Sequence, residues 1–581
     1  MVVAVCNAMP GKLYRKLVLL YWLLVLCLPA LSQSVDLADL KKVKLSGGLS
    51  VNTLYNSYNP GGANPLSYFV SGTLNLQLLG TSIPVNLSYS SRKFTYSQPF
   101  SYNQIGIHPT YKWATAHLGM VSMTFSPYSL NGHQFSGAGF DLAPGKWKVS
   151  TMYGRLVKAQ EATTATPAAF QRTGMGLKVG WQDDTYRVGM TTFYAGDNPN
   201  SVQIPTLRDT TAGALQQPGP LGNLVMGLNA GATLFGFLQL DVEYANSVLE
   251  RNRTVTEKGA ANSLAGVVFR PNATAESYHA LKGNLNAIIK RSNTVIGVGY
   301  ERVDPNYQTL GGYFFTNDFA NVTVNFAQPF LDGKISTSGS LGVQWDDLQN
   351  VKTSAQQRWV GNVSVVATPS PKLNLTFNYS NFQAYTFIRN SIQDISRLSP
   401  LEQIDTLNFT QITQNITTSV MYQLKSTETN VQSLAVNGTI MGVANKQGDL
   451  VRKGQLSQIY NGTVNYSYGL PRKNLALTAG VNLMNSYISR NTFSSMGPSL
   501  GINKSFLKNT LTGSLTTAYL YSTSELTKSR ITNMRLAVNY TALERHNFAL
   551  QVASLWQSTS AGTGASASNF ATATLGYTTK F

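Results

Sequence analysis

Apolar and polar residues alternate along most of this chain with a period of two. Residues 373–380 show the pattern clearly: one set of alternate positions holds Leu373, Leu375, Phe377 and Tyr379, and the other holds Asn374, Thr376, Asn378 and Ser380. Residues 147–153 and 173–181 repeat it. Because successive side chains of a β-strand point to opposite faces, the alternation predicts strands with one apolar and one polar face along nearly the whole chain.

The connections between the predicted strands alternate in length. Working back from the C-terminus, every second connection is short, as at residues 543–545, 507–509, 471–473, 370–371, 332–333, 183–184 and 143–145. The connections between them are mostly longer, as at residues 384–409, 304–318, 249–276, 196–220 and 158–171. Short turns at one end and long loops at the other are typical of a barrel that spans a membrane.

The pattern therefore predicts an all-β fold, a transmembrane antiparallel up-and-down β-barrel with short periplasmic turns and longer extracellular loops. The spacing indicates about 26 strands, with 22 or 24 as alternatives because residues 97–125 are ambiguous. An unpaired backbone group in lipid costs roughly several kcal/mol, so a spanning sheet must close on itself. We expect the first strand, near residues 47–58, to pair with the last.

Composition agrees with this prediction. Only 12% of the residues are charged, about half the share found in soluble proteins. No apolar run reaches the length of about 18 residues that a transmembrane helix needs. Both cysteines, Cys6 and Cys27, lie near the N-terminus. If that segment is removed, disulfides and thiol chemistry are excluded.

The N-terminus has the pattern of an export signal. The basic residues Lys12, Arg15 and Lys16 precede an apolar run at residues 17–28, and residues 30–32 read Ala-Leu-Ser, a cleavage site of small residues. The apolar run is too short to span a bilayer. We therefore expect a cleaved signal peptide.

The predicted organisation has three parts: a signal peptide over residues 1–32, a short periplasmic segment over residues 33–45, and the barrel over residues 46–581. A lipoprotein signal ending at Cys27 is the alternative, and the large Leu26 before it disfavours that reading. The segment before the barrel is too short for a plug domain, so none is expected.

The last strand carries a more specific signal. Residues 570–581 end in phenylalanine and place apolar residues on one face: Ala571, Ala573, Leu575, Tyr577 and Phe581. This resembles the C-terminal assembly signal of bacterial outer-membrane β-barrel proteins, although Thr579 stands where that signal has an aromatic or apolar residue. The resemblance rests on this strand, the signal peptide and the architecture, and it identifies no functional family.

That resemblance implies a location in the outer membrane of a Gram-negative cell. It also implies contact with outer-membrane lipid and lipopolysaccharide, and recognition by periplasmic chaperones and the barrel-assembly machinery. Leu575, Tyr577 and Phe581 are the candidate assembly residues.

The formal charge is +19, and removing the three basic residues of the signal leaves +16. The basic residues are thinly spread without a nucleic-acid motif, so no nucleic-acid partner is expected.

Charged residues on predicted lumen faces are candidates for lining a pore: Lys148, Lys178, Arg187, Asp241, Glu243, Lys282, Glu301, Asp346 and Arg535. A basic excess there could attract anions. The alternative is that these charges only solvate the lumen or pair across it.

Residues 300–318 are unusually aromatic for an outer loop, with candidate constriction residues Tyr307, Tyr313, Phe314 and Phe315. The segment could fold inward and narrow a pore, bind a partner, or form a long hairpin packed on its neighbours.

Enzyme chemistry is not expected. The five histidines lack a metal-binding spacing, and the one G-x-S-x-G match, at residues 497–501, is followed by a strand pattern where a nucleophile elbow needs a helix. No cofactor and no metal are predicted.

A barrel above about 20 strands encloses a lumen that its side chains cannot fill. The leading hypothesis is a monomeric, porin-like channel for passive or facilitated passage of polar solutes, with a preference for anions. TonB-dependent transporters resemble this size class but carry a large N-terminal plug. The alternative is the barrel subunit of a secretion or surface-assembly complex, plugged by partner proteins.

Overall fold

A computed structural model describes most of the chain. The described residues are 44–57, 65–78, 80–91, 103–161, 168–202, 219–259, 271–313, 315–351, 357–381, 410–447, 450–451, 457–488, 491–561 and 564–581.

The first half of the barrel contains thirteen strands: β1 Lys44–Asn56, β2 Leu66–Leu78, β3 Thr81–Ser90, β4 Gln104–Ile107 continued by Thr110–Tyr111, β5 Ala114–Thr124, β6 Asn131–Leu142, β7 Trp147–Val157, β8 Arg172–Gln182, β9 Tyr186–Asp197, β10 Gly222–Leu234, β11 Leu238–Glu250, β12 Ala275–Ile289 and β13 Thr294–Val303. Strand β4 is broken at His108 and Pro109. Proline cannot donate to a ladder, which explains why the pattern was ambiguous in this stretch.

The second half contains thirteen more: β14 Phe319–Phe330, β15 Ile335–Asp346, β16 Gln357–Ser370, β17 Leu373–Ser380, β18 Thr410–Ser426, β19 Val431–Gln447, β20 Leu450–Val451 continued by Ser457–Leu470, β21 Leu475–Ile488, β22 Asn491–Phe506, β23 Leu511–Ser524, β24 Thr527–Ala542, β25 His546–Ala561 and β26 Gly564–Lys580.

The sheet closes into a ring. Each strand pairs antiparallel with the next, and β26 pairs with β1 over the register from Gly48 opposite Lys580 to Asn56 opposite Thr572. The predicted count of about 26 strands and the pairing of the first strand with the last are confirmed. Strand β1 begins at Lys44, three residues before the predicted start of the first strand.

The two ends of the barrel differ as the sequence indicates. The turn between β24 and β25 is tight, with Leu543 and Glu544 both in the left-handed region (φ 52° and 59°). Two such residues are what a type I′ turn between twisted strands requires. The connections at this end are all short. The opposite end carries the longer connections, such as residues 304–318, but it also has the two-residue turn between β23 and β24.

The outer face of the barrel is apolar. Large side chains such as Leu228, Val298 and Val324 are about half exposed there (53%, 52% and 50%). A continuous apolar surface of this kind suits contact with lipid. No helix among the described residues has the length and apolar character needed to cross a membrane.

The inner face is polar over most of the ring, but it bears a compact core over strands β5–β14. This core contains fully buried side chains such as Phe135 and Phe193. Glycines on the inner face make room for it: a Cβ on Gly176 would lie 2.6 Å from a ring carbon of Phe125. The glycine stripe of β8 therefore allows residues 125–130, between β5 and β6, to pack inside the barrel.

Candidate functional site: the charged lumen wall and two inner loops

The strand register places the predicted charged residues on the lumen face. Directly paired residues of neighbouring antiparallel strands lie on the same face of the sheet. Glu243 pairs with Lys282, and Lys282 pairs with Glu301. Arg187 and Asp241 both pair with Gly231. The same reasoning places the other four candidates inward: Lys148, Lys178, Asp346 and Arg535.

Six of these nine residues converge on one part of the wall, across strands β8–β13. Arg187 forms an ion pair with Asp241. The ammonium nitrogen of Lys282 lies 3.7 Å from a carboxylate oxygen of Glu301. Lys178 and Glu243 complete the set, which has no net formal charge. This part of the wall is therefore charged but electrically balanced.

Gly231 permits the ion pair between Arg187 and Asp241. It lies between them on β10, and a Cβ there would collide with the Arg187 side chain and lie 2.7 Å from Asp241 Oδ1. The absent side chain lets the two charges meet across an intervening strand.

The other three candidates lie elsewhere. Lys148 is near the end of the barrel with the short turns, where its ammonium donates to the Gln182 amide oxygen over 3.3 Å. Asp346 is the last residue of β15, at the end of the barrel that carries the longer loops. Arg535 is exposed in the middle of β24, thirteen strands from β11 and so halfway round the ring.

A short inner loop, residues 125–130, lies against the charged wall. The Tyr128 hydroxyl donates to the Glu301 carboxylate over 2.6 Å, and the Lys178 ammonium donates to the Phe125 carbonyl over 2.6 Å. Two of the charged wall residues therefore hold this loop, one at its first residue, Phe125, and one at Tyr128.

A long inner loop, residues 304–318, reaches back across the inner face of three strands to meet the short one. The Ser247 hydroxyl of β11 donates to the Gln308 carbonyl (2.6 Å), and the Leu310 amide donates to the side-chain oxygen of Asn223 on β10 (3.1 Å). The Thr309 hydroxyl then donates to the carbonyl of Ser129 in the short loop (2.7 Å).

Aromatic side chains join the two loops. The fully buried Tyr307 donates its hydroxyl to the Tyr128 carbonyl over 2.8 Å, and the Phe315 ring packs 5.0 Å from that of Tyr307. Tyr313 stacks on His133 of β6 with ring centroids 4.1 Å apart. These three aromatic residues lie inside the barrel, so the segment folds inward; Phe314 lies outside the described residues.

The hydroxyls of these tyrosines are held in the protonated state. Burial, with the Glu301 carboxylate as a second cause, raises the pKa of Tyr128 well above its ordinary value. Burial also raises the pKa of Tyr307, and it raises the pKa of Tyr313 to about 12. The hydroxyls therefore remain hydrogen-bond donors at neutral pH.

One cluster on the wall gave no signal in the sequence. His108 Nδ1 lies 2.9 Å from His117 Nδ1, and His117 Nε2 lies 2.8 Å from Asp141 Oδ2. The three residues come from three strands and have no diagnostic spacing, so only the register brings them together. Among the described residues, no group of three or more His, Cys, Asp or Glu side chains could hold a metal ion.

Two arginines of the connection between β11 and β12 also have partners. Arg251 bonds to Glu276, and Arg253 bonds to the Asp197 carbonyl. These two contacts anchor the start of the connection between β11 and β12 to β9 and β12 of the barrel wall.

The lumen wall away from the loops has a different character. The Ser419 hydroxyl donates to Asn437 (2.8 Å), whose amide donates to Thr463 (3.3 Å). The residues paired with Arg535, Thr516 and Ala553, are neutral. This side of the lumen therefore presents hydroxyl and amide groups around a central arginine.

A closed 26-stranded antiparallel barrel with an apolar outer face and a polar inner face defines an outer-membrane β-barrel. The chain matches no protein-family model, and no curated protein is similar to it in sequence.

Several solved structures match this chain at low identity and low TM-score. A chain of the E. coli P pilus tip assembly intermediate PapC-PapD-PapK-PapG is 11% identical with a TM-score of 0.42; the match covers 91% of this chain, which spans 60% of that chain. The FrpB iron transporter of Neisseria meningitidis is 10% identical with a TM-score of 0.36, covering 94% and 82%. OccAB2 of Acinetobacter baumannii is 9% identical with a TM-score of 0.31, covering 93% and 98%.

Proposed function

We propose that this barrel is an outer-membrane channel for small polar solutes, narrowed on one side by its own two inner loops. The supporting observation is the asymmetry of the lumen. The loops are fixed to the charged wall through Tyr128 and Ser247, while the opposite wall presents neutral hydrogen-bonding groups. A polar solute could exchange its hydration for contacts with such a wall. We propose a channel rather than an enzyme, and the lack of a separate plug domain stays a prediction.

The charge balance favours a weak preference for anions. The six clustered wall residues sum to zero, and the nine candidates together carry one excess positive charge. Arg535 supplies that excess in the middle of the neutral wall. We therefore propose general passage of polar solutes, with Arg535 as the source of any anion preference.

The first test is single-channel conductance of the purified, folded protein in a planar bilayer with a salt gradient. We expect steady conductance with a small anion-shifted reversal potential. Deletion of residues 304–318 should raise the conductance, because it removes the larger inner loop.

The deletion also exposes part of the interior core, so a milder variant is needed. Asn223→Ala combined with Ser247→Ala removes the side-chain hydrogen bonds of β10 and β11 to the long inner loop while keeping the loop itself. Asn437→Ala on the opposite wall is the matched control. If the deletion variant and the double alanine variant both fold and both keep the conductance of the unmodified protein, the hypothesis that the long inner loop narrows the pore is rejected.

A silent bilayer with a folded barrel would favour the other candidate function, a barrel subunit plugged by partner proteins. Purification from native membranes in mild detergent would then be expected to yield a stable complex.

A further inference from the structure

A cavity of about 300 Å³ lies in the lumen wall beneath the short inner loop. It is bounded above by Phe125, Ser126 and Pro127 and lined by inner-face side chains of strands β8–β12. The volume falls at the lower end of the range for small-molecule sites. Five charged side chains line it: Lys178, Arg187, Asp241, Glu243 and Lys282.

Two of these five charges have no ionic partner. Arg187 is paired with Asp241, and Lys282 is engaged by Glu301. Within the described chain, Lys178 and Glu243 take part in no ion pair. Lys178 donates to one carbonyl and keeps further donors. The cavity therefore has a cation on β8 and an anion on β11 that form no contact ion pair within the described chain, although Lys282 lies directly opposite Glu243 in the sheet.

Lys178 and Glu243 line the same cavity, so one small molecule can contact both charges. Their strands are three positions apart in the sheet, or about 14 Å between backbones at the usual strand spacing. Both side chains lie on the concave face of the ring, where side chains of neighbouring strands converge, and both line the cavity. The amide groups of Asn229 and Asn284 line the cavity as well and supply neutral donors and acceptors.

A singly charged solute cannot satisfy this arrangement. An anion on Lys178 would leave Glu243 unpaired, and a cation on Glu243 would leave Lys178 without a counter-charge. A molecule carrying both charges neutralises both groups, and charge-assisted hydrogen bonds are the stronger kind.

We propose that the cavity binds a small zwitterionic solute of amino-acid size, with its ammonium group on Glu243 and its carboxylate on Lys178. The proposal rests on the proposed channel function, for which it names a solute. Binding itself does not require flow through the barrel, so the two can be tested separately.

The test is calorimetric titration of the full, folded barrel in detergent with three matched probes: norvaline, pentanoate, which lacks the ammonium group, and butylamine, which lacks the carboxylate. We expect saturable binding of norvaline, with each singly charged probe at least about tenfold weaker because one charge-assisted contact is lost. Glu243→Gln should weaken norvaline binding by a similar factor and leave pentanoate unaffected. The matched control is Glu428→Gln, at an exposed periplasmic turn.

Equal binding of norvaline and pentanoate to the unmodified protein would overturn the proposal, as would norvaline binding unchanged by Glu243→Gln. The probe comparison needs no variant, so it holds even if a substitution disturbs folding. A barrel that conducts but does not bind norvaline rejects the site alone. A barrel that binds norvaline but does not conduct keeps the site and rejects the channel.

Discussion

The hydroxyl of Tyr128 donates a 2.6 Å hydrogen bond to the carboxylate of Glu301, although the two residues are 173 positions apart in the chain. The contact joins the short inner loop to β13 on the barrel wall. Glu301 also pairs with Lys282, and the Tyr128 carbonyl accepts from Tyr307 of the long inner loop. Tyr128 therefore links both inner loops to the charged wall.

Tyr128→Phe should loosen the inner loops without changing their shape. The variant keeps the ring and loses one hydrogen bond to a charged group, worth about 1.5–3 kcal/mol. We expect more frequent current fluctuations and a higher mean single-channel conductance. Tyr153→Phe, on the lipid face, is the control. Traces indistinguishable from the unmodified protein would show that this bond does not hold the loop.

The inner loops should be released at high pH. Burial raises the pKa of Tyr313 from 10 to about 12, so its contribution to the packed loop is fully present below pH 10 and is lost as pH rises from about 10 to 12. Conductance and tyrosinate absorbance should rise together in this window. Tyr313→Phe should remove the part of the absorbance change that comes from Tyr313. This distinguishes the titration of Tyr313 from that of lysines, whose pKa values fall in the same range. A conductance step below pH 9 would contradict this assignment.

Arg535→Gln should abolish the weak anion preference. The change removes the single excess positive charge among the nine lumen candidates and leaves stability within about 0.5 kcal/mol, because the side chain is exposed. The measurement is the reversal potential in a salt gradient, with urea unfolding as the stability check. Arg545→Gln, in a periplasmic turn, is the control. A reversal potential unchanged by Arg535→Gln would place the source of selectivity elsewhere.

The last residue should have two separable roles. The Phe581 backbone exchanges two hydrogen bonds with Gly47 (2.9 and 3.1 Å), which closes the barrel at the end with the short turns, while its ring remains half exposed. Phe581→Ala keeps the backbone bonds and should lower assembly in cells, yet fold normally in detergent. Deletion of Phe581 should impair both.

Outer-membrane yield and heat-modifiable migration in gels measure these two outcomes. Normal assembly of Phe581→Ala in cells would show that the terminal ring is not part of the assembly signal.

The sequence alone was sufficient for the barrel and for the face on which each charge lies. Period-two alternation fixes which side of a strand faces lipid, so Lys282 and Glu301 could be placed on the lumen face before their partners were known. The phase of short and long connections likewise predicted, as far as β18, which end of the barrel carries the longer loops. Both are local properties, repeated strand by strand.

Only the tertiary structure decided which charges meet and where the aromatic loop goes. Arg187 reaches Asp241 because Gly231 lies between them in register, and the sequence gives no register between strands. Tyr307 is buried inside the barrel because glycines on a distant strand leave room for the short loop that receives it. Such contacts depend on closure of the whole ring, which places residues far apart in the chain side by side.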